Sequence, residues 1–348
     1  MTRRTFLTAS TVAPAMAAAV GRKVRTGVLG VQHGHLKGKL RAMLDSPKYE
    51  VVAFCEPDLA TREDFIKSWP GGDSLNWISM DALLGDPTID LIVFEGEVRD
   101  AIPWGAKIIE AEKHLHLEKP PTNKLEPFRE LVEFARSRGK KIQLGYMWRF
   151  HQGVQAALDA YRQGWLGEVF MIRATINSDR DQAQRDVEAR YPGGSMFELG
   201  GHVVDRVVAF LGKPNKVNRW LRHDTSTKDL LKDNTLVVLE YDHALAVLVS
   251  SAKMGGSGGH RSFEVIGTDG TFFIQPMEPK PTMKVFMREA HPPYNAGWQQ
   301  IELPAQPRYL ADMEELASAI LEGRPLKDSY DHELALQETL LRASGEID

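Results

Sequence analysis

Short apolar runs alternate with helical patterns through residues 24–146, and this alternation does most to narrow the folds open to the chain. The run from Val24 to Leu29 ends at Gly30, and Leu36, Leu40, Met43 and Leu44 then recur at helical spacing. Further runs at 49–55, 90–94, 114–117 and 141–146 are each separated by a helix-length segment. Strands joined by helices in this order predict βαβ units and a parallel sheet. After Phe150 the texture changes. Strand-like runs crowd between 168 and 287, joined by turn signals such as Thr268-Asp269-Gly270, and helical patterns cover 153–163, 195–211, 309–322 and 332–343. That pattern predicts an α+β domain with a mainly antiparallel sheet. A chain of 348 residues is long enough for both units.

The first strand-to-helix turn, Gly30-Val31-Gln32-His33-Gly34-His35, stands where a dinucleotide fold brings backbone N–H groups to a pyrophosphate. Against the pattern G-x-G-x-x-G, Gly30 holds the first place, Gln32 the second and His35 the third, with Gly34 one position early. Glu56 closes the second strand, where a carboxylate accepts from both adenosine ribose hydroxyls and disfavours a 2′-phosphate; otherwise it is a solvated loop acid. The reading is a Rossmann domain over 23–146, with NAD rather than NADP as cofactor. Gly30, Gln32, His33, Gly34, His35, Glu56, Glu118 and Lys119 are its expected contacts. Residues 147–348 form the α+β substrate and oligomerisation domain with closing helices.

Glu118-Lys119-Pro120 follows a strand at the carboxyl edge of the sheet, where ligands of open α/β sheets bind. A lysine there can lie beside a nicotinamide ring and stabilise alkoxide character; the alternative is an exposed charge before a proline turn. Glu198, His202 and Asp205 have i, i+4 and i+7 spacing, so one continuous helix would place them on one face. A histidine between carboxylates can serve as general base. Each has a structural competitor: Ser195 and Glu198 form a capping-box pattern, His202 can be a core histidine, and Asp205 can pair with Arg206 or Arg149. Gly200 and Gly201 weaken a helix, which implies a close approach there. Trp148 and Arg149 line a sugar cleft or pack into the core. The expected catalytic set is Lys119, His202 and Glu198; substrate contacts are Lys119, His202, Trp148, Arg149 and Asp205.

Several partners are excluded. The formal net charge is -4 and no long basic run occurs, so nucleic acid is not expected. Cys55 is the single cysteine, which rules out an internal disulfide and a cysteine metal site. His33 with His35 and His114 with His116 make two pairs, but neither has a third ligand in view, so no metal is expected. Arg3-Arg4 precedes Phe6-Leu7 and an Ala-rich stretch, which resembles a twin-arginine signal over 1–22. That stretch is too short and polar for a stable span, so a cleaved signal, export in the folded state to the periplasm, and no membrane insertion are expected.

Glu118-Lys119-Pro120, residues 145–150, residues 193–205 and residues 264–270 together resemble the Gfo/Idh/MocA family, the group of glucose–fructose oxidoreductase and inositol dehydrogenase. The resemblance implies an open antiparallel sheet in the second domain, whose face builds dimers or tetramers. It also implies Lys119 and His202 beside the nicotinamide, with substrate between the domains. Glu198 stands where many members carry an aspartate. Residues 95–101, Glu-Gly-Glu-Val-Arg-Asp-Ala, replace a Thr-Pro-Asn-like segment, and their acids would repel dinucleotide phosphates unless Arg99 compensates. The expected function is an NAD(H)-dependent oxidoreductase of a sugar, polyol or derivative. The alternatives are an NAD-dependent glycosidase or lyase working through a transient keto-sugar, and a non-catalytic Rossmann-type binding protein.

Overall fold

The computed structural model describes residues 21–348; the twin-arginine segment lies outside them. In the first half, β1 (Val24–Leu29), α1 (Leu36–Asp45), β2 (Tyr49–Cys55), α2 (Leu59–Ser68), α3 (Met80–Gly85), β3 (Leu91–Phe94), α4 (Val98–Glu110), β4 (His114–Leu117), α5 (Leu125–Ser137) and β5 (Ile142–Leu144) alternate. The five strands pair in parallel in the order β2-β1-β3-β4-β5. β3 is buried at all four positions, as a strand covered on both faces must be. Connections from β1 outward in both directions leave a crevice at the carboxyl ends of β1 and β3, the place where such sheets bind ligands.

The second half begins with α6 (Gln152–Arg162), β6 (Val169–Thr175), α7 (Gln182–Glu188), α8 (Ser195–Glu198) and α9 (Gly201–Leu211). Then come β7 (Lys216–Arg222), β8 (Asn234–Glu240), β9 (Leu245–Ser251), β10 (Ser262–Gly267), β11 (Gly270–Ile274), β12 (Thr282–Met287) and β13 (Gly297–Glu302). α10 (Leu310–Leu321) and α11 (Tyr330–Ser344) close the chain. The sheet order is β13-β12-β11-β10-β6-β9-β8-β7, antiparallel throughout except between β6 and β9. Its inner face packs on α6 and α9, while the outer face shows Phe170, Trp220, Leu245 and Trp298 to solvent.

Four elements differ from the expectations. The single helix over 195–211 is two, broken at Leu199 and Gly200. α7 and β13 carry too few apolar residues to show a period, and both form nonetheless. α10 does not stay with the second domain: Met313, Leu316, Ala317 and Ile320 share a core with Val24, Leu36 and Leu40, so this helix covers one face of the first sheet.

Candidate active site

The turn after β1 is built on Gly30, whose φ is +83° and whose added Cβ would lie 2.7 Å from Gly96 N. Only glycine fits there. Glu56 braces the turn: Oε2 accepts from Val31 N at 2.9 Å and Oε1 from Asp58 N at 3.0 Å. Gln32 N and His33 N both donate to the carbonyl of Glu95 at 3.1 Å, which ties the turn to the end of β3. Gly34 has open space around it, and the helix N-cap His35 makes no side-chain cap bond.

Behind the turn lies a charge cluster that sequence reading missed. Lys39, fully buried on α1, donates from Nζ to Glu95 Oε1 at 2.6 Å and to Glu118 Oε1 at 2.8 Å. Glu118 Oε2 faces His35 Nδ1 at 3.1 Å and His33 Nδ1 at 3.5 Å. Burial opposes charge on Glu118, but Lys39 and the two imidazoles hold its carboxyl well below the usual range. Burial pushes His33 down to about 4. Glu118 was expected to touch the cofactor; it is 5% exposed and serves first as the counter-charge of Lys39. Gly145 leaves room for it, since an added Cβ would meet Glu118 Oε1.

Lys119 extends from the end of β4 into the crevice between the domains. Its Nζ donates to the carbonyl of Glu198 at 3.0 Å and to Glu198 Oε1 at 2.8 Å. Burial raises the Glu198 carboxyl, yet Lys119 and His33 bring it below its ordinary value. Glu198 therefore pairs with lysine and caps nothing; the α8 N-cap is Gly194, and Ser195 Oγ bonds to Ser250 Oγ at 2.6 Å. His202 sits behind this pair, 2% exposed, its ring 5.6 Å from Tyr146 and nearly perpendicular to it. Burial first, and then the charge of Lys119, hold the imidazole neutral. Its Nδ1 is buried without a hydrogen-bond partner among the described residues. The close approach implied by the glycine pair is that of Tyr146, whose ring carbon would lie 2.8 Å from a Cβ on Gly201.

Arg149 and Asp205 do not line a sugar cleft. Asp205, 0% exposed, accepts from Arg149 at 2.9 and 3.1 Å, from Arg206 at 2.6 Å, and faces His332 Nε2 at 2.9 Å. Arg149 also pairs with Glu333 at 2.5 Å. The break at Leu199 and Gly200 separates Asp205 from the face that carries Glu198, and the cluster pins the one-turn helix Met147–Phe150 to α9 and α11. Trp148 is buried; it borders a separate cleft of about 310 Å³ shared with Phe150, Tyr309 and Asp312.

Two recesses meet over Gln32, His33 and Gly34. One, about 530 Å³, runs toward Thr61 and Ser68 on α2 and includes Lys37. The other, about 620 Å³, runs between the domains to Lys119 and Glu198. Its far wall carries Arg180, Gln184, Glu188 and Tyr191, none of which the sequence reading singled out. Arg180 pairs with Glu188 at 2.5 Å, and burial pushes the Glu188 carboxyl up to about 7. The repulsion expected of residues 95–101 is largely absent. Glu95 turns inward to Lys39, Glu97 pairs with Arg99 at 2.8 Å, and the segment walls the crevice without filling it.

A parallel sheet whose first turn opens onto a bipartite groove, with a lysine at the mouth of a second, sheet-based domain, defines a two-domain architecture with a dinucleotide-binding-type first domain. The profile described as "Oxidoreductase family, NAD-binding Rossmann fold" matches residues 24–146, and the "GFO/IDH/MocA C-terminal domain" matches 154–273. The chain belongs to the Gfo/Idh/MocA oxidoreductase family, and its N-terminal domain is an NAD-binding Rossmann domain. An uncharacterized oxidoreductase of Rhizobium meliloti is 27% identical, over 56% of this chain and 58% of its own. The dTDP-3,4-didehydro-2,6-dideoxy-alpha-D-glucose 3-reductase of Streptomyces violaceoruber is 28% identical over 59% of each chain. The chain thus spans under two thirds of these relatives' lengths. An oxidoreductase from Agrobacterium radiobacter, solved with NAD+, L-tartaric acid and magnesium, shares the fold with a TM-score of 0.78 at 16% identity, covering 93% of this chain and 96% of that one.

Proposed function

We propose that this protein is an NAD(H)-dependent oxidoreductase acting on a CH–OH group of a sugar, polyol or derivative. The observation that carries the reading is the Lys119–Glu198 pair at the floor of the interdomain crevice, opposite Arg180, Gln184 and Tyr191. Polar groups in that number suit a ligand rich in hydroxyls. The groove fits a dinucleotide: Glu56 would hold the adenosine ribose and disfavour a 2′-phosphate, His33, Gly34 and Lys37 would border the pyrophosphate, and Lys119 would flank the nicotinamide. Bound NAD supplies the two-electron acceptor for the carbinol hydrogen. Lys119 Nζ orients the substrate hydroxyl and takes its proton, while one of its own passes to Glu198 Oε1, 2.8 Å away. His202, buried and neutral, positions the lysine by limiting the positive charge beside it.

Export in the folded state would require the cofactor to travel bound, and the exposed Phe170, Trp220 and Trp298 face of the second sheet would join copies of the chain into dimers or tetramers. The test is mass spectrometry of ligand released from native protein, then a polyol and sugar panel with that ligand bound. Lys119→Met should lower kcat by on the order of 10²- to 10⁴-fold. A wild-type rate in that variant would refute the assignment. A second reading, carbohydrate binding without turnover, draws on the amides of Gln32 and His33, which already bond to Glu95. No bound nicotinamide and no NAD-induced rise in Tm would favour it.

A further inference from the structure

The turn that replaces the usual glycines brings together two histidines that a glycine turn would not have, and topology supplies a third donor from 83 residues away. We propose that His33 Nδ1, His35 Nδ1 and Glu118 Oε2 bind a divalent transition-metal ion, zinc by preference, one per chain. The three donor atoms lie within 4.8 Å of one another, with Glu118 Oε2 at 3.1 Å from His35 and 3.5 Å from His33. Ligand atoms of a tetrahedral zinc ion with bonds of about 2.0–2.1 Å stand roughly 3.3 Å apart, so the cluster closes on an ion with small side-chain shifts. Two imidazoles and one carboxylate, with the fourth position open to the crevice, are a donor set suited to zinc, and softer than magnesium or calcium select.

One further observation points the same way. The second oxygen of Glu95, Oε2, is fully buried with no hydrogen-bond partner among the described residues and lies 3.6 Å from His33 Nδ1, so an unpartnered polar atom is aimed into the cluster. Lys39 occupies Glu118 Oε1 and thereby leaves Oε2 to the metal. The ion would replace the 3.3 Å bond from His35 N to His33 Nδ1 and the 3.1–3.2 Å contacts between His35 Nδ1 and the Glu118 carboxylate. In return it would cross-link the β1–α1 turn to the strand end that carries Lys119. The site stands on its own donors and does not depend on turnover.

The test uses the full, tag-free chain, stripped with a chelator and titrated with zinc alone against a chromophoric competitor, with metal content read by mass spectrometry. One zinc per chain with low-micromolar or tighter affinity is expected. Removing even an outer-shell partner weakens a metal site about 10- to 100-fold, so His35→Ala and Glu118→Gln should each cost on the order of 100-fold or more. Cobalt in place of zinc should give the visible ligand-field bands of a four-coordinate nitrogen–oxygen site, and His33→Ala with His35→Ala should abolish them. Absence of zinc binding by the wild type, which needs no variant to fold, overturns the proposal. So does retention of stoichiometric zinc by the double variant, because the ion would then lie elsewhere.

Discussion

Replacing Asp205 by asparagine separates two roles that its position in the chain leaves open. Its carboxylate is fully buried and meets Arg149, Arg206 and His332 at 2.6 to 3.1 Å, while Asp328 stands farther from Arg206, at 3.6 Å. Asparagine keeps the shape and turns one acceptor into a donor facing a guanidinium. Arg206 then loses its close counter-charge, and Arg149 keeps only Glu333 and the 3.6 Å contact to Asp328. Removing one partner of a buried ion cluster costs about 3–5 kcal/mol, because the remaining charge stays out of water uncompensated. For a chain of this size that corresponds to a fall in Tm of roughly 5 °C. Circular dichroism melts of the wild type and Asp205→Asn read the shift directly, and turnover per folded molecule at a temperature below both transitions should agree within about twofold. Adding Arg206→Met should return part of the loss, with a coupling of about 1 kcal/mol or more in the double-mutant cycle. A variant that melts with the wild type but loses turnover a hundredfold or so would refute the structural role and restore Asp205 to the substrate.

The buried ammonium of Lys39 should behave similarly. Lys39→Met leaves Glu95 and Glu118 facing each other without their cation and should cost about 3–5 kcal/mol in urea unfolding, part of it regained in Lys39→Met with Glu95→Gln. An unchanged midpoint would show that the two carboxylates find another partner. Asp312 supplies a pH test. Burial, opposed by the charges of Lys39 and Arg149 and reinforced by Glu118, raises its carboxyl to about 7. Because the folded value lies above an unfolded value of about 3.9, its contribution is complete below about pH 4 and is lost as pH rises toward 7. Asp312→Asn should therefore gain on the wild type across that window by up to about 4 kcal/mol, and a gap constant from pH 4 to 8 would contradict the assignment.

How far the sequence could be read depended on whether a residue's neighbours were local. The βαβ half was legible because each strand is an unbroken apolar run and each helix an amphipathic one, signals carried within a dozen residues or so. Lys119 was legible because it follows a strand end, and strand ends in such sheets face the crevice. The grouping of Glu198, His202 and Asp205 failed for a local reason: i, i+4, i+7 spacing assumes one continuous helix, and the chain turns at Gly200. α7, which brings Gln184 and Glu188 to the crevice, left no apolar period at all.

The charge cluster is the instructive miss. Lys39 stands among Leu36, Leu40 and Met43 on the buried face of α1, and a lysine on an apolar stripe needs a buried anion. That much was readable. Which anion was not, because Glu95 and Glu118 come from the ends of two other strands, and only the parallel register of β1, β3 and β4 brings them to the same helix. The acids of residues 95–101 looked hostile to a dinucleotide when counted along the chain. In space Glu95 turns inward to Lys39, burial pushes its carboxyl up to about 8, and its carbonyl organises the very turn it was expected to repel ligand from. Net charge in a loop therefore says little about the field at a site until each acid has been assigned its partner. The same assignment leaves Glu95 Oε2 without a partner among the described residues, 3.6 Å from His33 Nδ1 and facing the donors of the proposed metal site.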